Sequence, residues 1–245
     1  MDPLFDFTGK VVLVTGGSRG LGWEVVRAFA ARGADIIITS RKEDACEVVA
    51  QEVRALGRRA LAIGAHAGKW DEIDAMLERA YAAFGRIDIA INNAGMGPAA
   101  PSPDYSEELF DKVVGLNFKG PFRLAAKVGQ RMMEGDGGVI INVSSSGAIM
   151  PLPNVVAYGA SKAALNAMSR SLAAEFAPKV RVNVLSAGPF LTDIAKAWAP
   201  EQRETSTNLL GRPGRPEEVV TAALALASPY SSYITGAFYQ ADGGY

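Results

Sequence analysis

The chain has 245 residues, of which 49% are hydrophobic and 21% charged, and its formal net charge is -1. This composition favours one globular domain over residues 1–245 and argues against nucleic acid or an anionic membrane as a partner, which leaves a small molecule. One cysteine, Cys46, and one histidine, His66, exclude an intrachain disulfide and a zinc cluster, so we expect no metal site and a cytoplasmic location.

Short runs rich in β-branched residues alternate with longer helical patterns along the chain. The runs lie at 11–15, 35–39, 59–63, 87–91, 138–144 and 180–186, with a seventh at 237–240. Apolar strands between amphipathic helices are typical of a parallel sheet covered on both faces. We therefore predict an α/β fold, a single doubly wound, Rossmann-like sheet of about seven strands. A β/α barrel, the rival architecture, would need eight such units.

Residues 189–215 follow the sixth predicted strand and are rich in Pro, Thr, Ser and Arg. A long connection of this kind often carries function. We expect it to form a substrate lid, in which Trp198 either caps the substrate or packs on a neighbouring helix.

The segment TGGSRGLG, residues 15–22, follows the first predicted strand and leads into a helix that we expect to begin near Leu21. Gly16 can turn tightly, Gly20 lets the backbone approach a phosphate, and Gly22 lets the helix pack on the strand. The free N–H groups of a helix N-terminus bind a pyrophosphate. Such a turn can be purely structural, but its position between strand and helix favours nucleotide binding.

The segment AYGASKAAL, residues 157–165, places Tyr158 and Lys162 four residues apart in a helix-favouring run. Residues at this spacing lie on one face of a helix, so the phenol and the ammonium point the same way. Alone, the spacing fits an ordinary surface pair as well as a catalytic pair, and the other motifs must decide.

Together these motifs resemble the signatures of the short-chain dehydrogenase/reductase family. Thr15, Gly16, Gly20 and Gly22 match its TGxxxGxG turn. NNAG at 92–95 resembles its segment beside the adenine and ribose, and 141–162 its catalytic segment, with a serine thirteen residues before the tyrosine. GLN at 115–117 resembles the helix that supplies an asparagine, and 216–244 resembles the closing helix and strand.

The resemblance implies a catalytic tetrad of Asn117, Ser145, Tyr158 and Lys162. A free tyrosine has a pKa of about 10, and Lys162 together with a positive nicotinamide ring should lower it. Tyr158 then exchanges a proton with the substrate oxygen, which Ser145 holds by a hydrogen bond. Lys162 would also bond the nicotinamide ribose, and Asn117 would position a water between Lys162 and solvent. Asn117 as a helix-kinking residue and Ser145 as a strand-end cap are the structural alternatives.

The same resemblance implies cofactor contacts in the glycine-rich turn, after the second and third strands, in NNAG, in the catalytic helix and after the sixth strand. The expected residues are Gly16, Ser18, Arg19, Gly20, Leu21, Ser40, Arg41, His66, Asn93, Ala94, Gly95, Tyr158, Lys162, Gly188, Phe190 and Thr192.

Two positions depart from the family pattern. His66 stands where the family commonly has Asp after the third strand. We expect it to bond the adenine amine, although a lone histidine is more often packed or solvated. Ala187 stands where Pro usually precedes Gly188, and Pro189 stiffens the same loop instead.

The end of the second strand bears on the choice of cofactor. Enzymes that prefer NAD place an acid there to hold the ribose hydroxyls, but this chain has Ser40 followed by Arg41. Arg19 is a second cation that could reach a 2′-phosphate, and Arg–phosphate pairs are strong and selective. We therefore predict NADP(H) rather than NAD(H), the alternative being that both arginines face water.

The resemblance implies an oxidoreductase acting on a carbonyl or secondary alcohol. The alternatives are an NAD-linked alcohol dehydrogenase of the same fold and a non-catalytic nucleotide-sensing protein, which the intact catalytic residues disfavour. Enoyl reductases of this superfamily usually space Tyr and Lys more widely. Two long apolar-faced helices, roughly 104–133 and 157–177, pair across a dyad in the family and predict a homotetramer.

Overall fold

A computed structural model describes residues 2–245, apart from the side chains at positions 194 and 197. Its centre is a seven-stranded parallel sheet. The strands are β1 (Val11–Thr15), β2 (Asp35–Ser40), β3 (Ala60–Gly64), β4 (Ile89–Asn92), β5 (Gly138–Ser145), β6 (Val180–Ala187) and β7 (Phe238–Ala241). Every predicted strand is present, with ends that differ by one or two residues.

Helices cover both faces of this sheet. They are α1 (Gly20–Ala30), α2 (Glu43–Ala55), α3 (Trp70–Phe84), α4 (Glu107–Val114), α5 (Gly120–Glu134), α6 (Val156–Phe176), α7 (Pro200–Glu204) and α8 (Val220–Ala227). The first helix begins one residue before the predicted Leu21, and α6 agrees with the predicted helix 157–177 to within one residue.

The strands are ordered β3-β2-β1-β4-β5-β6-β7, so the chain reverses direction across the sheet between β1 and β4. In open α/β sheets, ligands bind at the carboxyl ends of the strands beside this switch point. The doubly wound fold is therefore confirmed, and its topology places the glycine-rich turn, NNAG and the end of β5 along one edge.

Alternation along the inner strands divides the core into two layers. Val12 and Val14 of β1 pack in the layer that contains α1, α2 and α8, whereas Leu13 between them faces the layer of α3, α5 and α6. A central parallel strand is buried on both faces, which explains why the strand sequences are nearly continuous apolar runs.

The structure differs from the predicted helix 104–133. A π-helical turn, Gly115–Lys119, separates α4 from α5, and the Gly120 N–H donates to the Gly115 carbonyl across it. Such turns insert one residue into a helix and frequently lie at functional sites. Asn117 stands in the middle of this turn and is fully buried.

Residues 189–215 are more ordered than an irregular connection. They contain a 3₁₀ turn, Asp193–Ala197, and the short helix α7. Phe190 and Gly214 form an isolated parallel β-bridge, which joins the beginning of this segment to its end.

A buried polar chain links the two central strands to α6. The Asn92 amide donates to the Asn142 side-chain oxygen at 2.8 Å, and the Asn142 amide donates to the Ser169 hydroxyl at 2.8 Å. Ser169 in turn donates to the Leu165 carbonyl. These groups lie in the core just below the carboxyl ends of β4 and β5, so they fix the strand ends that carry the candidate site.

Over residues 2–245, no helix is both long and apolar enough to cross a bilayer.

Candidate active site

The glycine-rich turn connects β1 to α1 with a backbone that only glycines adopt easily. Gly16 and Gly20 have φ of 66° and 56°, in the left-handed region. A Cβ on Gly22 would overlap the Gly16 carbonyl, so the third glycine is required by close packing. Arg19 precedes α1 without a side-chain cap, which leaves the first N–H groups of the helix free for an anion. Ser18 and Leu21, within the same turn, are half-buried.

NNAG is held directly against this turn. The Thr15 hydroxyl accepts from the backbone N–H groups of Asn93, at 3.0 Å, and Ala94, at 3.1 Å. The Asn93 amide donates back to the carbonyls of Thr15 and Gly16. The ends of β1 and β4 are therefore joined into one rigid floor.

The phenol of Tyr158 lies at the end of β5, beside Ser145. Burial raises the pKa of Tyr158, and a hydrogen bond with the Ser145 hydroxyl opposes that rise. Ser145 also accepts from the Gly147 N–H at 3.1 Å, so it caps the strand end as well as contacting the tyrosine. The strand-end cap considered for Ser145 is thus present, and its hydrogen bond to a substrate oxygen stays a prediction.

Lys162, one turn after Tyr158 on α6, is almost fully buried. Its ammonium donates to the Val143 carbonyl at 2.8 Å. Burial lowers the pKa of Lys162 to about 8. In this conformation the ammonium is satisfied by β5. The fall in the pKa of Tyr158 that we expected from Lys162 together with a nicotinamide ring stays a prediction.

Asn117 contacts the other residues of the site through its side-chain amide. The amide nitrogen donates to the Met96 carbonyl at 2.8 Å and to the Ser161 hydroxyl at 3.1 Å, while its oxygen accepts from the Met96 N–H at 2.9 Å. Both amide protons are therefore used within the protein. Asn117 clamps the chain just after NNAG against α6.

Gly95 shows how closely these groups approach one another. A Cβ built on it would stand 3.2 Å from the Asn117 side-chain oxygen and 3.4 Å from the Lys162 ammonium. The structure thus brings Asn117 of the π-helical turn beside Lys162 of α6, and Ser145 at the end of β5 beside Tyr158 of α6. Proton-transfer groups and a buried cation in this arrangement suit chemistry at a polarised oxygen.

Ser40 and Arg41 lie at the end of β2, on the other side of the glycine-rich turn. The Ser40 hydroxyl donates to the Lys42 carbonyl at 3.1 Å and accepts from the buried Cys46 thiol at 3.1 Å. Arg41 is exposed and has no ion pair or hydrogen bond to another described residue. Its guanidinium is available to an anionic ligand.

The segment after β6 passes over the glycine-rich turn. Thr192 lies against Gly20, with its Cβ 3.5 Å from the position of a Cβ on that glycine. Arg19 forms an ion pair of 3.4 Å with Asp193, which also pairs with Lys196. Arg19 is therefore engaged by the predicted lid rather than standing free beside Arg41.

Gly188 and Phe190 begin this segment. The Gly188 N–H donates to the Ala241 carbonyl of β7 at 3.0 Å, and Phe190 is buried against Gly214. Phe190 also lines a cavity of about 440 Å³ that extends toward Tyr245. None of the four catalytic candidates lines that cavity. Trp198 of the same segment is half-buried.

Comparison with known proteins shows to which family the chain belongs. The sequence model of a family described as enoyl-(acyl carrier protein) reductase, a branch of the short-chain dehydrogenases/reductases, matches residues 16–245. The chain belongs to the short-chain dehydrogenase/reductase family. Its resemblance to that family in motifs and spacing is thereby confirmed, and it is an oxidoreductase of that family.

Relatives within the family differ in substrate and cofactor. An NAD-dependent glycerol dehydrogenase of Listeria innocua is 38% identical, covering 100% of this chain and 96% of its own length. A 7α-hydroxysteroid dehydrogenase solved with NADH and a 7-oxo bile acid has a TM-score of 0.95 at 31% identity, covering 100% of this chain and 97% of that one. A blue fluorescent protein from a metagenomic library, solved with NADPH, has a TM-score of 0.92 at 34% identity, covering 98% of each chain.

His66 stands where the short-chain dehydrogenase/reductase pattern commonly has Asp, and it also differs from Asp in the hydrogen bonds that it can make. Its Nδ1 accepts from the Gly68 N–H at 3.1 Å, so a neutral ring carries its proton on Nε2. Such a ring offers its Nε2–H as a donor. The contact with adenine that we expected from the sequence stays a prediction, and from this tautomer it would end on a ring nitrogen of the adenine rather than on the amine.

Sequence reasoning missed three residues that build the site. Thr15 was matched as part of the motif but not assigned the two backbone N–H bonds that it accepts. Ser161 and the Val143 carbonyl hold Asn117 and Lys162. Ser161 lies one residue before the lysine, but nothing in its type or spacing points to Asn117, because that contact exists only after α6 packs on the π-helical turn.

Proposed function

We propose that this enzyme transfers a hydride between NADP(H) and a secondary alcohol or its carbonyl, with Tyr158 as the general acid/base. The meeting of the Tyr158 ring, the buried Lys162 ammonium and Asn117 around the segment after β4 carries the proposal, since Cβ atoms built on Gly95 and Gly97 would stand 3.0 to 3.4 Å from them. This group lies on the same sheet edge as the glycine-rich turn. The glycine-rich cradle, which Cβ atoms would fill, fits a dinucleotide pyrophosphate.

The bound nicotinamide nucleotide supplies the hydride donor or acceptor. Tyr158 passes a proton to or from the substrate oxygen, and Ser145 donates a hydrogen bond to that oxygen. Lys162, with a pKa of about 8, is mostly protonated at neutral pH, and its charge favours the phenolate of Tyr158. A water held by Asn117 would donate a hydrogen bond to an oxygen of that residue. Both protons of the Asn117 side-chain amide are already donated, one to the Met96 carbonyl and one to the Ser161 hydroxyl.

The preference for NADP(H) is supported by Arg41, whose exposed guanidinium lacks a partner among the described residues, and by the absence of an acid at Ser40. Arg19 supports it less, because its guanidinium pairs with Asp193. An NAD-linked enzyme is the second candidate. It is favoured by the NAD-dependent glycerol dehydrogenase among the relatives and by the inward hydrogen bonds of Ser40, which leave one free acceptor for a ribose hydroxyl.

Residues 189–215 serve as the substrate lid in this proposal. The ion pair from Arg19 to Asp193 and the contact of Thr192 with Gly20 support closure over the nucleotide. Two further parts of the proposal are a homotetramer and a cytoplasmic location. Exposed Phe110 on α4 and Phe122 on α5 support the first, and a single free cysteine suits the reducing compartment of the second.

A screen of secondary alcohols with NADP⁺ and NAD⁺, and of ketones with the reduced forms, tests the proposal by nicotinamide absorbance. We expect turnover of at least one alcohol–ketone pair, with the larger kcat/KM for NADP(H). Nucleotide binding without turnover across the screen would instead favour the nucleotide-sensing alternative.

A further inference from the structure

Two uncharged segments flank the catalytic hydroxyls. Residues 94–103 follow β4, residues 146–157 follow β5, and the Ala100 N–H joins them by donating to the Asn154 carbonyl at 2.8 Å. Neither segment contains an acidic or basic residue. These two segments therefore offer no charge partner to a phosphate, a carboxylate or an ammonium group, and in the proposed lid the charges of Asp193 and Lys196 already pair with each other.

Leu152 lies immediately beside the catalytic serine. A Cβ on Gly147 would overlap the Leu152 Cδ1 methyl and would stand 3.5 Å from the Ser145 hydroxyl oxygen. Leu152 nevertheless keeps 40% of its surface exposed, and Ile149 on the same segment keeps 54%. Large apolar side chains are thus presented next to the group that would hold the substrate oxygen.

The segment after β4 approaches Tyr158 with its backbone rather than with a large side chain. A Cβ on Gly97 would stand only 3.0 Å from the Tyr158 ring, so backbone alone covers that face of the tyrosine. Ala99 and Ala100 continue the segment. Extra hydroxyls on a substrate would find few side-chain partners here, and an unpaired hydroxyl taken from water costs free energy.

We propose that the substrate is a secondary alcohol on an uncharged hydrocarbon framework, with Leu152 and Ile149 setting the preference over polyols. This inference rests on the proposed function. In the oxidising direction, the alcohol loses a hydride from its carbinol carbon to the oxidised nicotinamide nucleotide and its hydroxyl proton to Tyr158. The alcohol becomes the ketone, and the nucleotide is reduced.

The test compares kcat/KM for a decalinol, a two-ring secondary alcohol, with that for erythritol, a four-carbon polyol. We expect the wild type to prefer the decalinol. Leu152→Asn should lower kcat/KM for the decalinol by about 10–30-fold, because each buried CH₂ group is worth about 0.8 kcal/mol and each 1.4 kcal/mol is tenfold. The value for erythritol should change little. Val48→Asn, at an exposed apolar residue of α2, is the matched control and should alter neither value.

A binding measurement accompanies the kinetics. Calorimetry on Tyr158→Phe saturated with oxidised nucleotide should detect decalinol binding, and adding Leu152→Asn should weaken it by a similar factor. If Leu152→Asn does not fold, Ile149→Asn replaces it.

The outcomes separate this inference from the proposed function. A preference for erythritol, or a discrimination ratio unchanged in both Leu152→Asn and Ile149→Asn, overturns the inference while leaving a working dehydrogenase. Oxidation of polyols in the screen but of no hydrocarbon alcohol does the same. Failure of every alcohol to react with either nucleotide overturns both.

Discussion

At the scale of single residues, we predict that Arg41 decides the preference between NADP(H) and NAD(H). Its replacement by Ala should weaken NADPH far more than NADH, because only NADPH has the 2′-phosphate. Hydrogen bonds to charged groups are worth about 1.5–3 kcal/mol, so we expect a fall of roughly 10–150-fold in kcat/KM for NADPH. Ser40→Asp adds a like charge beside the phosphate and should move the preference toward NADH.

The measurement is kcat/KM with both nucleotides in the wild type and the two variants. Arg170→Ala, at an exposed arginine of α6 that forms no ion pair with another described residue, is the control. An equal loss for the two nucleotides in Arg41→Ala would make Arg41 a surface charge, and a wild-type preference for NADH would support the NAD-linked candidate.

The buried Lys162 should make the free energy of unfolding depend on pH. Burial lowers its pKa from 10.5 to about 8, so between these values the unfolded chain holds a proton that the folded protein has released. The free energy of unfolding should therefore rise with pH from about 8 to 10.5 relative to Lys162→Met, by up to about 3 kcal/mol. Below pH 8 both states hold the proton, and the folded protein carries the full cost of burying the charge.

Urea unfolding of the nucleotide-free wild type and Lys162→Met across this pH range measures the difference, and groups common to both proteins cancel. Lys127→Met, at an exposed lysine of α5, is expected to show no such trend. A difference between wild type and Lys162→Met that stays constant with pH would contradict the burial of a charged lysine.

At the scale of secondary-structure elements, Ser169 and Ser171 of α6 form a matched pair. Both hydroxyls donate to the carbonyl four residues earlier, but only Ser169 also accepts from the buried Asn142 amide. Ser169→Ala leaves that amide without a partner and should lower the free energy of unfolding by about 1–3 kcal/mol. Ser171→Ala, on the exposed face, should lie within about 0.5 kcal/mol of the wild type. Urea denaturation decides, and equal effects would show that the buried chain contributes nothing.

Five of the seven strands could be predicted from sequence because each is a short run rich in β-branched residues, whereas β3 holds one such residue and β7 none. The prediction of one continuous helix over 104–133 was wrong, because a π-helical turn interrupts it. That turn depends on the hydrogen bond from the Gly120 N–H to the Gly115 carbonyl and on the fit of Asn117 against Met96. Neither has a local sequence signal. The catalytic candidates were named through the resemblance of several spaced motifs to the family, whereas the ion pair of Arg19 with Asp193 joins residues 174 positions apart and needs the folded chain.

At the scale of the whole molecule, we predict a tetramer. Trp70 of α3, Phe110 of α4 and Phe122 of α5 keep between 39% and 47% of their surface exposed, which is costly for large aromatic side chains in a monomer. Light scattering coupled to gel filtration should return four times the 25.8 kDa chain mass. Phe110→Glu should reduce the assembly, because it places a charge in an apolar interface. A monomeric mass for the wild type at micromolar concentration contradicts the prediction.

Isotopic labelling tests whether the enzyme transfers a hydride in a reaction that depends on Tyr158. An alcohol that the wild type oxidises is prepared with deuterium on its carbinol carbon and incubated with NADP⁺, and the reduced nucleotide is analysed by mass spectrometry. We predict one deuterium per reduced nucleotide in the wild type. Tyr158→Phe should form this product about 10²–10⁴-fold more slowly while binding the nucleotide normally. Reduced nucleotide without deuterium, or an unchanged rate in Tyr158→Phe, would contradict the account.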